Sequence, residues 1–290
     1  MNVMNYQEQT IKDLEQIREK APLIHNITNY VVMNSTANAL ISIGASPVMA
    51  HAVEEVEEMA GLASALVINI GTLSEKWIEA MHKAGKAAKR RGIPVILDPV
   101  GAGATAFRTN ATKSIIQEVK PQVIRGNASE ILAIAQAGFT TKGVDSTASA
   151  ESALDAAQDL ARAAGAAVSI SGKTDYITDG KKVEEISQGH PLMGKVTGTG
   201  CTATVLTAAF AGVNSDYFAA SAEAMIVMGI AGEMAGDQAR APGTFYTRFI
   251  DALYLIDGEE IKKRYQNGGS QQTGSIPLPG HRPGPVAGQV

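Results

Sequence analysis

"ALVINIGTLSEKWIEAMHKAGKAAKRRGIPVILDPVG", residues 65–101, sets two short apolar runs on either side of a segment with helical period. The runs ALVINIG (65–71) and IPVILDPVG (93–101) are apolar at consecutive positions, which suits strands covered on both faces. Between them Ser74 is placed to cap a helix, Ile78, Met81 and Ala88 give it an apolar stripe, and Gly92 can end it. Strand, helix and strand at this spacing need a crossover connection, and a crossover implies parallel pairing.

The same alternation extends outward. ASPVMA (45–50), PQVIRGN (121–127) and AAVSISG (166–172) read as further buried strands, and ASAESALDAAQDLARAAG (148–165) as a helix. After residue 172 the pattern changes: TDYITDGKKVEEIS (174–187) reads as a hairpin turning at Asp179-Gly180, and helices follow from Thr202 to Tyr265. No repeat or linker interrupts the series, so the expectation is one α/β domain over residues 1–266. NGGSQQTGSIPLPGHRPGPVAGQV (267–290) is rich in Gly, Pro and Gln without periodicity, and reads as a mobile tail.

The chain has 290 residues, 45% hydrophobic and 19% charged, with a net charge of −4; this is a globular composition without the basic excess of a nucleic-acid binder. Cys201 is the single cysteine, which excludes an internal disulfide and a cysteine-cluster metal site and points to a reducing cytoplasm. MNVMNYQEQTIKDLEQIREKAP (1–22) is too polar for a signal peptide. No run reaches the roughly 18 consecutive apolar residues of a spanning helix. The nearest, SAEAMIVMGIAGEMAG (221–236), is interrupted by Glu223 and Glu233 and reads as a buried helix or one packed on another subunit, so no membrane partner is expected.

Ligands of open parallel sheets sit beyond the carboxyl ends of the strands. Those ends read Met49, Asn69-Ile70-Gly71, Asp98-Pro99-Val100-Gly101, Arg125-Gly126-Asn127 and Ser171-Gly172, an edge of polar groups and glycines. Later in the chain, GKVTGTGCTATVLTAAFAG (194–212) places Thr197, Gly198 and Gly200 at the mouth of a small-residue helix. Such a run is either a tight turn that needs close packing or a seat for anionic oxygens, where main-chain N–H groups and the positive helix end converge. It is neither a Walker loop, since no Gly-Lys-Ser/Thr follows, nor a dinucleotide fingerprint. Cys201 falls in that helix's first turn, where the dipole is expected to lower its thiol pKa; it is a nucleophile, a weak base or an inert buried thiol. No histidine signature accompanies it.

Asn127 and Glu130 in IRGNASEIL (124–132) have the spacing of a capping box, and Glu130 is equally suited to a Mg²⁺ held on phosphates. Arg125 can grip polyphosphate oxygens with two donors. Asp98 either bonds its own turn or contributes to the Mg²⁺ surroundings. In PLIHNITNYVVMNSTANAL (22–40), Thr28 or Asn29 is expected to cap the following helix, and the Met49 thioether suits either core or an apolar pocket.

HNITNYVVMNSTANALISIGASPVM (25–49), LVINIGTL (66–73), GIPVILDPVGAGAT (92–105), IRGNASEI (124–131) and KVTGTGCTATVLTAAFA (195–211) together resemble the hydroxyethylthiazole kinases, thiamine-salvage enzymes of the ribokinase-like superfamily, over residues 20–265. The resemblance implies a three-layer α/β/α domain with a mostly parallel central sheet, and a homotrimer with active sites between subunits. It implies transfer of phosphate from ATP, with Mg²⁺, to 5-(2-hydroxyethyl)-4-methylthiazole. It implies thiazole contacts from Met49, Gly198, Asn29 and Cys201, and ATP contacts from Arg125, Asn127, Thr197 and from Ser171, where a threonine is common. Asp98 and Glu130 match the acids near Mg²⁺, and Gly198, Gly200 and Cys201 the catalytic turn. Where Cys201 falls, the superfamily usually has an aspartate base, whereas this family commonly carries cysteine. Rival readings are a hydroxymethylpyrimidine-type kinase, a nucleotide-dependent dehydratase of hydrated nicotinamide cofactors, and a non-catalytic sensor; the first two would carry aspartate in place of Cys201.

Overall fold

A computed structural model describes residues 5–139, 150 and 153–265; the 267–290 segment and the first part of the 148–165 helix lie outside the described residues. Eight strands form one sheet in the order β2-β1-β3-β4-β5-β6-β7-β8. They are β1 (Leu23–Ile27), β2 (Ser46–Val48), β3 (Ala65–Asn69), β4 (Val95–Asp98), β5 (Val123–Asn127), β6 (Ala167–Ser171), β7 (Asp175–Thr178) and β8 (Val183–Ile186). The pairings from β2 through β6 are parallel; the last two, β6 to β7 and β7 to β8, are antiparallel, the second of them closed by the Asp179-Gly180 hairpin. β1 is the strand the sequence hides. Its LIHNI run carries two polar residues, yet His25 and Asn26 are buried and tie it to its edge neighbour. His25 Nε2–H donates to the Ala50 carbonyl (2.8 Å), and Asn26 Nδ2 donates to that of Val48 in β2 (3.4 Å) as well as to that of Ile24 within β1 (2.8 Å).

Eleven α-helices among the described residues flank the sheet. On one face lie α3 (Val56–Leu62), α4 (Glu75–Arg91), α5 (Ala106–Glu118), α6 (Ala128–Ile134) and α7 (Leu154–Ala164); on the other lie α1 (Tyr6–Lys20), α2 (Met33–Ile43), α8 (Thr199–Ala211), α9 (Tyr217–Gly236), α10 (Pro242–Leu255) and α11 (Gly258–Arg264). Strand alternation feeds both cores: in β3, Ala65 and Val67 face α8 and α9, while Leu66 and Ile68 face α3 and α4. Ser74 caps α4 as the sequence suggests, but Trp77 anchors that helix and Ile78 is only half-buried.

α8 and α9 are apolar all round because both are enclosed. α9 is the one described helix long and apolar enough to cross a membrane, and most of it is buried inside the fold. The segment that leads to the glycine turn lies directly on it: a Cβ on Gly229 would come 2.6 Å from the Gln188 carbonyl oxygen. Only glycine permits that approach.

Glu223, in the middle of α9, is wholly buried beside Asp13 of α1. Asn214 Nδ2 donates to both, at 3.2 Å to Glu223 and 2.8 Å to Asp13. Burial, and then the adjacent Asp13, push the Glu223 carboxyl up to about 9, so it is a neutral acid near pH 7 that hydrogen-bonds Asp13. The folded chain keeps a proton that the unfolded chain releases near 4.5, so this contribution is complete below that pH and is lost as pH climbs toward about 9. Glu223→Gln keeps a donor for Asp13 and abolishes the titration. The thermal midpoint of the variant is expected to rise relative to the parent between about pH 5 and pH 9. A midpoint difference that does not change with pH would refute the assignment of that proton.

Candidate active site

Register brings the carboxyl ends of the strands into line. Asn69 pairs with Asp98 across β3 and β4, and Asn127 with Ser171 across β5 and β6. α8 points its N-terminus at the same edge, with Gly198 as its cap in the left-handed region at φ 86°. The first bond of that helix runs from the Thr202 amide to the Gly198 carbonyl (2.8 Å), which leaves the Thr199, Gly200 and Cys201 amides without an intrahelical acceptor. The Thr199 hydroxyl donates to the Met193 carbonyl (3.2 Å) and braces the turn.

The strand ends and the turn enclose a cavity of about 370 Å³. Asn29, Asp98, Arg125, Asn127, Glu130, Ser171, Thr197, Gly198, Gly200 and Cys201 all line it, together with Val31, Val32, Gly71 and Val100. Met49 follows β2 half-buried and is not among the lining residues.

One hydrogen-bond network joins the sheet edge to the helix. Asp98 Oδ2 accepts from Asn69 Nδ2 (2.8 Å) and from the Thr204 hydroxyl (2.8 Å). Asn69 Nδ2 also lies 3.2 Å from Cys201 Sγ, and Asn29 Nδ2 donates to Asn69 Oδ1 (2.9 Å) while lying 3.6 Å from the sulfur. Asp98 is the charge that acts most strongly on that thiol, electrostatically. The sequence marks Asn69 only as part of the polar strand edge, without a role, and does not mark Thr204. The signals were there: Asn69 ends a strand beside the one ending in Asp98, and Thr204 lies one helical turn after Cys201 on the same face.

Two expectations are corrected. Neither Thr28 nor Asn29 caps α2: the cap position is Val32, without a side-chain bond, and Asn29 instead accepts from the Val31 amide (3.1 Å) and reaches across to Asn69. The Cys201 thiol is not acidified by the helix end. Burial first, then the neighbouring Asp98, push it up to about 12, and the Asn69 and Asn29 contacts offset this only in part. Desolvation outweighs the dipole here.

Asp98 is itself pushed up to about 6 by burial, against the lowering pull of Arg125 and Thr204. Arg125 is buried, and its Nε has no hydrogen-bond partner among the described residues. An unpaired guanidinium nitrogen on a cavity wall is a seat for an anion. Glu130 forms the capping box: Asn127 Oδ1 accepts from the Glu130 amide and Glu130 Oε2 from the Asn127 amide, both at 2.9 Å. Its other oxygen accepts from the Gly101 amide (2.9 Å), so one carboxylate fixes two loops while facing the cavity.

A three-layer fold with a glycine-capped helix at the sheet's carboxyl edge is the ribokinase-like architecture. The chain shares that fold with a ribokinase-like superfamily protein from Enterococcus faecalis (TM-score 0.60, 13% identity, 83% of this chain and 86% of that one). Within it, the profile described as Hydroxyethylthiazole kinase family matches residues 14–259. The chain belongs to the hydroxyethylthiazole kinase family. Proteins named hydroxyethylthiazole kinase from Leptospira biflexa serovar Patoc (55% identity, 88% of this chain, 96% of that one) and Syntrophus aciditrophicus (56%, 89% and 96%) are similar to it along most of its length. The solved structure of the protein so named from Pyrococcus horikoshii superposes with a TM-score of 0.81 at 43% identity, covering 89% of this chain and 97% of that one. A Bacillus subtilis ADP/ATP-dependent NAD(P)H-hydrate dehydratase shares the fold alone (TM-score 0.57, 16% identity).

A side chain at Gly198 would press on a neighbour that also lines the cavity. A Cβ there meets Val32 Cγ1 at 3.1 Å, on α2's cap. Gly198→Val therefore strains the turn's backbone and presses on α2, and is expected to lower unfolding free energy by about 1–3 kcal/mol in denaturant titration. A variant as stable as the parent would show that the turn does not need its left-handed conformation.

Proposed function

We propose that this protein transfers the γ-phosphoryl group of ATP to the hydroxyl of 5-(2-hydroxyethyl)-4-methylthiazole, giving ADP and the phosphate monoester for thiamine salvage. The observation that carries the reading is the meeting, in one cavity, of bare amides at the α8 N-terminus, the unpaired Arg125 guanidinium and the Asp98 and Glu130 carboxylates. The acceptor's hydroxyl oxygen bonds the γ-phosphorus as the bond to the bridging oxygen breaks; that electron pair leaves with ADP, and the hydroxyl proton passes late to a phosphate oxygen and on to solvent. A loose transition state puts charge on the phosphoryl oxygens, and amides and a guanidinium meet that need better than a strong base does. Arg125, Asn127, Thr197 and Ser171 take the ATP side in this reading. Asn29, Met49, Gly198 and Cys201 take the thiazole side.

With its thiol pushed up to about 12, Cys201 stays protonated near neutral pH. It borders the attacking hydroxyl and takes the Asn69 and Asn29 amide hydrogens without acting as a base. Among the described residues there is no group of three or more His, Cys, Asp or Glu that could hold a metal alone. Asp98 and Glu130 fit a Mg²⁺ carried chiefly on phosphates, for that ion takes one or two carboxylates plus substrate oxygens. When bound it neutralises phosphate charge. Arg125 is the one cation among the described lining residues, which favours a neutral acceptor over a phosphorylated one.

The same reading takes the protein as a single kinase domain over residues 1–266, a cytoplasmic homotrimer with interfacial sites; exposed Val31 lining the cavity, with exposed Tyr30 beside it, supports a subunit contact there. A light-scattering mass of three chains is the expected result. The deciding assay supplies ATP, Mg²⁺ and the thiazole alcohol, or hydroxymethylpyrimidine in its place, and follows ADP release and product mass. Preference for the pyrimidine would overturn the assignment.

Cys201→Ala is expected to keep kcat within about tenfold of the parent, since no base is removed. Cys201→Asp sets a second carboxyl against Asp98, and its activity is expected to match or exceed the parent's at alkaline pH, where both are ionised. A folded, inactive alanine variant would restore the thiol as an essential base.

A further inference from the structure

Arg108 lies in the first turn of α5, half-buried, outside every residue assigned above. Its guanidinium spends three donor contacts on main-chain carbonyls. Nη1 donates to Ile70 (2.9 Å) and Val100 (2.7 Å), and Nη2 to Gly71 (2.8 Å). Gly71 and Val100 both line the cavity, and they belong to different loops, one after β3 and one after β4. Among the described residues no carboxylate lies within ion-pair distance of Arg108, so carbonyls are the partners that hold it.

Each loop controls one side of the site. Gly71 packs on Asn29 so closely that a Cβ there would fall 2.6 Å from Asn29 Nδ2, the same atom that bonds Asn69 and approaches Cys201. On the other side the Gly101 amide, next to Val100, donates to Glu130 (2.9 Å), and Glu130 also closes the α6 cap at Asn127. The planar fork of one side chain thus joins the hydroxyl side to the carboxylate side.

We propose that Arg108 is a positioning residue for phosphoryl transfer: its guanidinium clamps the two loops and fixes the spacing between the acceptor network at Asn29, Asn69 and Cys201 and the Glu130 side of the site. The inference rests on the phosphotransferase reading for its kinetic consequence. In-line attack tolerates little error in that spacing, and displacement by about 1 Å can cost on the order of 10²-fold in rate. A lysine keeps the charge but replaces the fork with a single point donor.

The test compares the parent with Arg108→Ala and Arg108→Lys under saturating ATP and thiazole alcohol. Arg108→Ala is expected to lose about 10²-fold in kcat, with both Michaelis constants within about threefold of the parent. Millimolar guanidinium is expected to restore much of the loss and methylammonium to restore none, with Arg108→Lys close to Arg108→Ala. A folded Arg108→Lys with parental kcat, or a loss that guanidinium does not repair, overturns the clamp. Amide hydrogen exchange supplies a readout free of activity: peptides spanning 69–72 and 99–102 are expected to exchange faster together in Arg108→Ala, and unchanged exchange in either loop overturns the proposal. An inactive parent would sink the reaction assignment and leave this exchange result to decide the clamp.

Discussion

The site depends on one buried hydrogen-bonded junction: Asp98 at the end of β4 receives Asn69 from the neighbouring strand and Thr204 from α8. Strand pairing aligns the strand ends, and apolar packing, which has no fixed direction of its own, holds α8 against the sheet. A carboxylate taking a hydroxyl from the second turn of that helix sets its height, and with it the position of Gly198 and the three unbonded amides. Burying an acid this deeply is unfavourable, as the upward displacement of its pKa records. The interaction survives because Asn69, Thr204 and the charge of Arg125 compensate it.

Glu223 makes the contrast instructive. It too is a buried acid with a raised pKa, but it faces Asp13, no cation among the described residues opposes it, and it rests as a neutral donor between α1 and α9. Asp98 is held by donors and a guanidinium beside a cavity and keeps its charge through much of the neutral range. Burial is common to both, and the surrounding charge decides whether the acid serves packing or chemistry.

Much of the architecture was legible because it follows from local chemistry. The βαβ unit of 65–101, the Asp179-Gly180 hairpin and the Asn127–Glu130 capping box each rest on residues close in sequence, and each formed as read. β1 was not legible, since His25 and Asn26 look like loop residues until Ala50 and Val48 are brought alongside to accept their hydrogens. The same holds for Asn29, whose partner Asn69 is forty positions away. The thiol's pKa failed for a related reason: the helix dipole is visible in sequence, whereas the desolvation that overrides it exists only after the sheet, α8 and Asp98 have closed around the sulfur.

That closure also explains why a thiol suits this position. An aspartate at residue 201 would set a second carboxylate beside Asp98 and Glu130, and like charges so placed would favour keeping a proton at neutral pH. A neutral thiol accepts the amide hydrogens of Asn69 and Asn29, adds no like charge beside Asp98, and leaves room in the charge balance of a site that must also admit a polyphosphate. Where the transition state is loose, little is lost by giving up the stronger base, because the hydroxyl's proton departs late and the developing charge lies on the phosphoryl oxygens. Cysteine at this position is therefore consistent with a site whose rate comes from holding two reactants in line, and the buried Asp98 junction provides the rigidity that such a strategy requires.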